Sequence, residues 1–581
     1  MIIRVVIALV LSVPPFVPLS AAAAVACPVS VPANTACGFL EVPERRDAPG
    51  RTIKVGYAVH RSTGPARKPD PVVYMGGGPA SSSLQLTGFL SQMFPGRDIV
   101  TIEQRGGRYS EPRLTCPETA EAMLERLRRP EAGAAAVAEG AVKCRARLAE
   151  RGVDLRGYTT REIAADVIEL RKKLGYASWN LFGVSYSTRV MTDVAAADPQ
   201  GVRAVLLDSY LPESVDWYGD ADRNLEDTVA ALGVKDRFEA MLARYNRAPA
   251  LVPTTDPLLG EPFTARMSGD DIATVLAEAL HEAEVVAAAP AMIDALARGR
   301  TEALRPLADQ VGAALTSHEF GLYHAVQCQD EAKFPEKSRL FTVTNDRAVC
   351  AAWKLPTTRP TRSESRVKAP VLVAGGQFDP TTPPRTQKPA AAELPNAHFV
   401  EFAGVGHAVF LAMATPCGRQ TMIAFLDDPA AWTQPCVPGR AGLERLEPGS
   451  LAVTGAPYQL LLAPWLAVPL AVFVLVALVQ LIGGGLRGRA LSAFAGLTGL
   501  AAAGLTAQSV YSLLSTNESA LAVGVPKDVE MYGWLAVGAV ALSVAAAVWA
   551  VQARPARRPW PHLVALVTGG GFLIWWFAWF L

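Results

Sequence analysis

The stretch NLFGVSYSTRV, residues 180–190, combines three local signals. Its first part is apolar and typical of a buried strand, and its last part can begin a helix. Between them, Gly183 and Ser185 predict a sharp turn with a serine hydroxyl at its apex. Such a strand–turn–helix usually has the pattern G-x-S-x-G, but this sequence has Ser187 at the second glycine position. The stretch therefore indicates a nucleophilic serine, Ser185, on an unusual turn.

Strand and helix patterns alternate on both sides of this turn. Helical periodicity is clear over 161–175, and apolar runs predict strands at 52–61, 71–75, 97–105, 202–210, 369–376 and 397–404. This alternation predicts an α/β fold with a doubly wound, mostly parallel sheet covered on both faces. We place its core in two parts, 27–210 and 369–440. Residues 211–368 lack strand signals and are rich in Ala, Leu, Glu and Arg, which predicts a helical cap insert.

The residues that would activate a serine also follow predicted strands. A serine hydroxyl needs a base, and the base needs a carboxylate that orients it. In an α/β-hydrolase fold these groups come in the chain order serine, acid, histidine. Asp379 and His407 each follow a strand, and His407 lies in a glycine-rich loop. We therefore predict Ser185 as nucleophile, Asp379 as orienting acid and His407 as base, with Asp208 as the alternative acid.

An acyl-transfer site also needs two backbone donors for the oxyanion. One is the amide of Tyr186, directly after the nucleophile. The other comes from the glycine turn YMGGGPASSS, at Gly77 or Gly78, where bare backbone lets a substrate carbonyl approach closely.

Apolar residues are concentrated near the carboxyl end of the chain. The net charge over 581 residues is +1, and no basic stripe is present, so we exclude nucleic-acid binding. After Glu447, four stretches without Asp, Glu, Lys or Arg are long enough to cross a bilayer. We predict a linker, 441–457, and four transmembrane helices within 458–581, near 458–483, 490–514, 531–552 and 561–581. The alternative, buried helices of a soluble domain, fits poorly because these spans are not amphipathic.

Arginines mark two of the loops between these helices. They are Arg487 and Arg489 in the first loop and Arg554, Arg557 and Arg558 in the third. Because loops rich in Arg stay in the cytoplasm, the preceding domain is predicted on the extracytoplasmic face of the cytoplasmic (inner) membrane. Residues 1–26, with an apolar core and a small-residue end, predict a signal peptide. The predicted spans contain no Asp, Glu, Lys or Arg, which favours an anchor over a transporter.

The eight cysteines all lie within 27–436, outside the membrane region. An even count in an exported domain suggests disulfides, although free buried thiols are the alternative. We predict local pairs: Cys27–Cys37, Cys116–Cys144, Cys328–Cys350 and Cys417–Cys436. The cysteine spacings fit no zinc site, and neither a metal nor an organic cofactor is implied.

Several blocks together resemble one branch of the α/β-hydrolases. GGGPASSS, EQRGGRYSEPRLTCPE, LFGVSYSTRV, GQFDPTTPP and GVGHAVF are similar to successive blocks of the proline iminopeptidases and tripeptidyl aminopeptidases. The resemblance covers about residues 35–440. It implies a doubly wound sheet with a helical cap, and hydrolysis of peptides from the amino end through an acyl-enzyme. It also carries the nucleophile onto Ser185, the acid onto Asp379 and the base onto His407.

The sequence departs from this family at three positions. Ala80 replaces the last glycine of the early block, Glu103 replaces an aspartate, and Ser187 replaces the glycine of the turn. The arginine of the second block, Arg105, is interpreted as a buried structural partner and not as a catalytic group. Ser187 adds only a hydroxymethyl group, so a small shift of the helix could accommodate it.

An aminopeptidase needs a negative group that holds the free α-ammonium of its substrate. In the cap, AVQCQDEAKF places Asp330 and Glu331 beside a cysteine of a predicted disulfide. We predict that one of them binds the amino end of the substrate. The alternative is that both are solvated helix charges.

Together these features predict a membrane-anchored, extracytoplasmic serine hydrolase that releases amino-terminal residues or short peptides. Its partners would be a peptide substrate and the lipid bilayer, and the oligomeric state stays open. One alternative is a carboxylic-ester hydrolase with the same three residues. The other is an inactive binding protein of the cell envelope, for which Ser187 is the sequence argument.

Overall fold

The computed structural model describes residues 26–48, 50–64, 67–331, 333–358, 363–412, 415–439, 444–553 and 560–581. The predicted signal peptide, 1–26, lies outside the described residues apart from its last residue. The arginines of the third membrane loop, at 554–558, also lie outside them.

The core is built on an eight-stranded sheet. Its strands are β1 Thr35–Pro43, β2 Thr52–His60, β3 Val72–Met75, β4 Ile99–Ile102, β5 Trp179–Val184, β6 Val202–Asp208, β9 Val371–Gly376 and β10 Ala397–Phe402, in the spatial order β1-β2-β4-β3-β5-β6-β9-β10. Strand β2 pairs antiparallel with both β1 and β4. The six strands from β4 to β10 in the spatial order are parallel to one another. This confirms the predicted mostly parallel sheet, and β1 is the strand that the sequence analysis missed.

Helices cover both faces of this sheet. They are α1 Thr87–Met93, α2 Pro117–Arg128, α3 Gly133–Glu150, α4 Thr160–Leu174, α5 Ser187–Ala197, α13 Pro384–Ala391 and α14 Pro416–Asp427. Neighbouring residues of β5 show the two faces: Leu181 packs in the larger apolar cluster and Phe182 in the smaller one. Because side chains alternate along a strand, an uninterrupted apolar strand such as β5 must be buried on both sides.

The cap lies between β6 and β9. Its helices are α6 Ala221–Ala231, α7 Lys235–Arg247, α8 Gly269–Ala279, α9 Ala283–Ala297, α10 Leu304–Ser317, α11 Phe320–Asp330 and α12 Asp346–Trp353. The cap is mainly helical, as predicted, but it also contains an antiparallel hairpin of β7 Ala250–Thr255 and β8 Pro262–Met267. Alternate residues of β7 are buried, and Pro253 lies at one of the exposed positions.

Four disulfides stabilise the domain outside the membrane region, and they match the predicted pairs. They are Cys27–Cys37, Cys116–Cys144, Cys328–Cys350 and Cys417–Cys436. The second joins the residue that precedes α2 to α3, and the third joins α11 to α12. Disulfides are therefore present in both the core and the cap.

The C-terminal region contains four helices that are long and apolar enough to cross a membrane, as predicted. The candidate spans are Pro464–Leu486, Ala490–Thr516, Asp528–Gln552 and Leu563–Phe580. The corresponding helices are α16 Val468–Leu486, α17 Ala490–Thr516, α18 Asp528–Ala553 and α19 Trp560–Trp575, and a short helix, α15 Ala456–Leu462, precedes them. Exposed Trp465, Tyr511 and Trp534 lie at the span ends next to the catalytic domain, where interfacial aromatic residues are expected.

The segment predicted as a linker is partly ordered. Strand β11 Leu451–Val453 pairs antiparallel with β12 Gly524–Pro526, which lies between α17 and α18. The segment that precedes the first membrane helix is therefore paired with the loop between α17 and α18.

Candidate active site

The serine turn joins β5 to α5, and Ser185 is at its apex. Ser185 has a positive φ of 55°, an uncommon conformation for a residue with a side chain. A Cβ atom at Gly183 would lie 2.8 Å from the carbonyl oxygen of Ser187 and 2.9 Å from Cγ of Met191. The strand and the helix therefore pack too closely for any residue but glycine at 183, as expected for a nucleophile turn.

Ser187 occupies the second glycine position without opening the turn. Its side chain is fully buried, and its hydroxyl accepts a hydrogen bond of 2.8 Å from the amide of Val184. The same hydroxyl donates to the carbonyl oxygen of Met75 at 2.7 Å. Since Met75 ends β3, the serine hydroxyl joins the turn to the neighbouring strand. The unusual residue therefore has a structural function in this turn.

Asp379 and His407 form a hydrogen-bonded pair after β9 and β10. The distance from Oδ2 of Asp379 to Nδ1 of His407 is 2.7 Å. Asp379 also accepts hydrogen bonds from the amides of Thr381 and Thr382, at 2.9 and 2.8 Å, and from the hydroxyl of Thr382 at 2.8 Å. The carboxylate is thus fixed in one orientation, which an orienting acid requires.

The environment shifts the pKa of both members of this pair. Burial penalises the charged imidazolium, but the Asp379 carboxylate outweighs this penalty and raises the pKa of His407. Burial also penalises the charged carboxylate, yet the interactions with His407 leave the pKa of Asp379 below its usual value. The pair therefore favours a charged acid beside a histidine that binds a proton readily.

Asp208, the alternative acid, has a different function. Its two oxygens accept hydrogen bonds of 2.8 Å from the amides of Val409 and Phe410. Burial raises the pKa of Asp208 to about 7. It thus holds the loop that carries His407, and the geometry favours Asp379 as the partner of the imidazole.

The glycine turn after β3 lies against the serine. A Cβ atom at Gly77 would lie 2.9 Å from Cβ of Ser185 and 2.7 Å from the carbonyl oxygen of Val184. Gly78 has a φ of 101°, a conformation open to glycine. Bare backbone is therefore required at both positions predicted for the oxyanion donors.

Two side chains that the sequence analysis did not assign hold this glycine turn. Gln104 donates to the carbonyl oxygens of Gly76 and Gly77, at 2.9 and 2.8 Å, and accepts from the amide of Ala80 at 2.9 Å. Glu103 accepts from the Ser83 and Leu84 amides, at 2.8 and 3.0 Å, and from the Ser82 hydroxyl at 3.0 Å. Their position directly after β4, the neighbour of β3, is the signal that could have identified them.

Arg105, the next residue, has the structural role that was predicted. It is fully buried and forms a bidentate ion pair with Asp166 of α4, at 2.7 and 2.6 Å. It also donates to the carbonyl oxygens of Glu44 and Gly157, each at 2.7 Å. Arg105 therefore joins the end of β4 to α4 and to the loop after β1, away from the serine.

A cavity of about 610 Å³ lies between the core and the cap and contains both Ser185 and His407. Most of its lining is apolar, and the cap contributes side chains from α8, α10 and α11. Among the described residues that line it, Glu278 and Glu282 are the only Asp, Glu, Lys or Arg side chains. The cavity is thus apolar with local negative charge on the cap side.

Asp330 and Glu331 do not line this cavity, which corrects the prediction for them. Asp330 accepts from the amide and hydroxyl of Thr160, at 2.8 and 2.7 Å, and from the hydroxyl of Thr358 at 2.6 Å. Glu331 is buried in an ion pair with Arg189 of α5. These contacts join the end of α11 to the core, so both carboxylates are engaged in the attachment of the cap.

Comparisons with known proteins agree with this architecture. Residues 70–238 match the family model described as alpha/beta hydrolase fold, and residues 340–434 match the model described as TAP-like protein. The chain is 24% identical over 441 residues to the serine protease Hip1 of Mycobacterium tuberculosis, covering 66% of this chain and 83% of that protein. It is 24% identical over 403 residues to the tripeptidyl aminopeptidase of Streptomyces lividans, covering 61% and 74%.

A solved structure is also similar, at a lower level. It is the proline iminopeptidase of Mycobacterium smegmatis, with 16% identity, a TM-score of 0.35, and coverage of 64% of this chain and 93% of that one. The sheet order, the serine turn and the two matched family models show the fold: the chain has an α/β-hydrolase fold, followed by four C-terminal helices that are long and apolar enough to span a membrane.

Proposed function

We propose that the protein is a membrane-anchored serine aminopeptidase whose catalytic domain lies outside the cytoplasm. The observation that carries this proposal is the set of residues that line one cavity. Ser185 and the Asp379-bound His407 lie in the same cavity as Glu278 and Glu282, and none of its described lining residues is Lys or Arg. A serine site with negative charge suits a substrate that presents an ammonium group.

In this reaction Ser185 attacks the carbonyl carbon of the scissile peptide bond while His407 takes the hydroxyl proton. His407 then gives that proton to the leaving amine, and the acyl group stays on Ser185 as an ester. A water molecule, deprotonated by His407, hydrolyses the ester and restores the serine. Asp379 keeps the Nδ1 proton of His407 in place, so that Nε2 is the atom that exchanges protons with Ser185.

The amides of Tyr186 and of Gly77 or Gly78 stabilise the oxyanion in this proposal. Tyr186 begins the turn into α5, and the backbone of Gly77 lies directly against Ser185. Gln104 and Glu103 fix the glycine turn before substrate arrives. Donors that are already in place cost no reorganisation when charge develops on the oxygen.

Glu278 and Glu282 are the residues that we propose for the substrate ammonium. Both are at the C-terminal end of α8 and the segment that follows it, on the cap wall of the cavity. Burial raises the pKa of Glu282, and a bound ammonium would favour its charged form. The apolar remainder of the wall suits the side chains of a short peptide segment.

The predicted location rests on two further features. The four candidate spans support a membrane location, and the four disulfides suit an oxidising compartment. Together with the cytoplasmic Arg-rich loops inferred from the sequence, they support an extracytoplasmic catalytic domain.

The test uses the full chain in detergent, with Ser185→Ala as the matched control. We expect a fluorophosphonate probe to label the wild type and not the variant. We also expect trialanyl p-nitroanilide with a free amino end to be cleaved much faster than its N-acetylated form. Equal cleavage of the two forms would contradict recognition of a free amino end. Hydrolysis of p-nitrophenyl esters alone would favour an ester hydrolase. Folded wild type that does not label would favour an inactive binding protein.

A further inference from the structure

One short segment of the cap, 280–281, contacts both loops of the catalytic pair. The ring of His281 stacks on the ring of His407, with centroids 4.4 Å apart and planes inclined by 27°. The carbonyl oxygen of His281 accepts a hydrogen bond of 3.0 Å from the amide of His407. Nε2 of His281 lies 2.8 Å from the hydroxyl of Thr381, whose amide donates to Asp379. His281 thus touches the base directly and the acid through one residue.

The packing between this segment and the histidine loop leaves no free space. A Cβ atom at Gly406 would lie 2.1 Å from the carbonyl oxygen of Leu280. Ala283, the first residue of α9, packs in one apolar cluster with Val405 and Val409 on either side of His407. Movement of the start of α9 would therefore displace the histidine loop.

The start of α9 is held in turn by the membrane region. Asn517 follows α17 directly, is 2% exposed, and donates from Nδ2 to the carbonyl oxygen of Glu284 at 2.9 Å. Its Oδ1 accepts from the amide of Ala520 at 3.0 Å, which shapes the loop itself. Leu521 of the same loop is buried in the apolar cluster that contains most of α9. Glu284 lies three positions after His281, with two residues between them.

We propose that the loop 517–526, between α17 and α18, positions the catalytic base through α9 and His281. The membrane region would then help to position His407 and would not serve only as an anchor. Asn517 and His281 are positioning residues, because neither is required to touch substrate. The inference rests on the proposed function only in assigning Ser185 and His407 to the reaction.

The experiment measures the second-order rate of fluorophosphonate labelling of the full chain in detergent, as a function of pH. Asn517→Asp keeps the size of the side chain and the bond to Ala520, but it cannot donate to Glu284. We expect its maximal rate to fall about three- to tenfold, the range of energetic coupling along a packed network. Ser509→Ala is the matched control, since Ser509 bonds Asp528 at the same membrane surface without touching the cap. Its rate should equal that of the wild type.

The pH profile separates positioning from general loss of structure. The charged or titratable groups that face His407 are Asp379, Asp208, His281, Glu278 and Glu282. Asp379 raises the pKa of His407 more than Asp208 and Glu278 do, so a displaced histidine loop weakens the main effect. The labelling midpoint of Asn517→Asp should therefore move to lower pH.

A double-variant cycle then tests the path. His281→Phe keeps a stacked ring but loses the contact with Thr381, and it should slow labelling. If both residues act through one path, the double variant should lose less than the product of the two single losses. Leu521→Ala weakens the same contact with α9 and should act like Asn517→Asp if that variant does not fold.

Two results would overturn the inference. The first is that Asn517→Asp, or Leu521→Ala in its place, is labelled at the wild-type rate and with the wild-type midpoint. The second is that the losses of the two single variants multiply strictly in the double variant. Failure of the wild type itself to label would contradict the proposed function instead.

Discussion

The hydroxyl of Ser187 donates a 2.7 Å hydrogen bond to the carbonyl oxygen of Met75, across the junction of β3 and β5. It also accepts from the amide of Val184, one residue before the nucleophile. In the usual pattern a glycine at this position only allows close packing of the helix on the strand. Here the serine satisfies two backbone groups that point into the turn. The departure at 187 is therefore compatible with an active site and is not an argument for an inactive protein.

We expect Ser187→Ala to destabilise the fold and not to abolish labelling of Ser185. The variant leaves the Val184 amide buried without this acceptor, which costs about 1–3 kcal/mol. A melting curve of the full chain in detergent should show a lower Tm, while fluorophosphonate labelling at low temperature stays within a few-fold of the wild type. An unchanged Tm would show that the hydroxyl is dispensable.

The rate of labelling should depend on the protonation of His407. The imidazole accepts the Ser185 proton only when it is neutral, so the rate should rise with pH through the pKa of His407. Because Asp379 raises that pKa above the usual value of 6.5, the midpoint should lie above that value. Asp379→Asn removes the cause, so the midpoint should move to lower pH and the maximal rate should fall by about 10⁴-fold.

The same substitution at Asp208 gives the control. Asp208→Asn keeps an oxygen acceptor for one amide of the histidine loop, and it should slow labelling far less than Asp379→Asn. Equal losses in both variants would contradict the assignment of Asp379 as the orienting acid. The raised pKa of His407 also contributes stability below the usual histidine pKa, and this contribution is lost as pH rises through the raised value.

Arg105 should be among the most sensitive structural positions in the core. Arg105→Met removes the bidentate partner of the buried Asp166, which keeps one bond to Arg46, and takes the donor away from the Glu44 and Gly157 carbonyl oxygens. We expect a loss of about 3 kcal/mol in the free energy of unfolding. Denaturant unfolding of the full chain, followed by tryptophan fluorescence, measures this loss. Lys54→Met is the control, because its ion pair with Glu111 is exposed and should contribute little. Similar effects of the two variants would contradict the role of burial.

Glu278 and Glu282 should favour substrates with a free amino end over substrates whose amino end is blocked. Glu282→Gln and Glu278→Gln remove a charged partner of the ammonium, so at least one should raise KM for free trialanyl p-nitroanilide by about tenfold or more. KM for the N-acetylated form should not change. Glu284→Gln is the neighbouring control, since that side chain does not line the cavity. Equal effects on the free and blocked forms would remove these residues from amine binding.

The candidate catalytic residues at the strand ends were predictable from the sequence. The cap residues that face the cavity were not. Ser185, Asp379 and His407 each follow an apolar run, and the carboxyl ends of parallel strands meet at one edge of the sheet. Asp330 and Glu331 were assigned from charge alone. Which side of a cap helix faces the cavity depends on how the cap docks, and that information is not local.

Three other features could not be predicted from the sequence, each for a different reason. Glu103 and Gln104 hold the glycine turn because β4 lies beside β3, and this order is a property of the assembled sheet. The cap hairpin was not predicted because Pro253 interrupts the strand pattern, although proline is tolerated in an edge strand such as those of this two-stranded sheet. The contact between Asn517 and α9 joins residues more than 200 positions apart, so no local pattern reports it.

The orientation of the membrane region leads to a prediction for labelling in intact cells. Each of the eight native cysteines is in a disulfide, so a single introduced cysteine would provide the free thiol that a maleimide labels. Lys527→Cys lies between α17 and α18, beside the catalytic domain, and should react with a membrane-impermeant maleimide. Gly488→Cys lies between Arg487 and Arg489 and should react only after the membrane is permeabilised, since Arg-rich loops stay in the cytoplasm. The opposite pattern would place the catalytic domain in the cytoplasm, where the four disulfides would not be expected to persist.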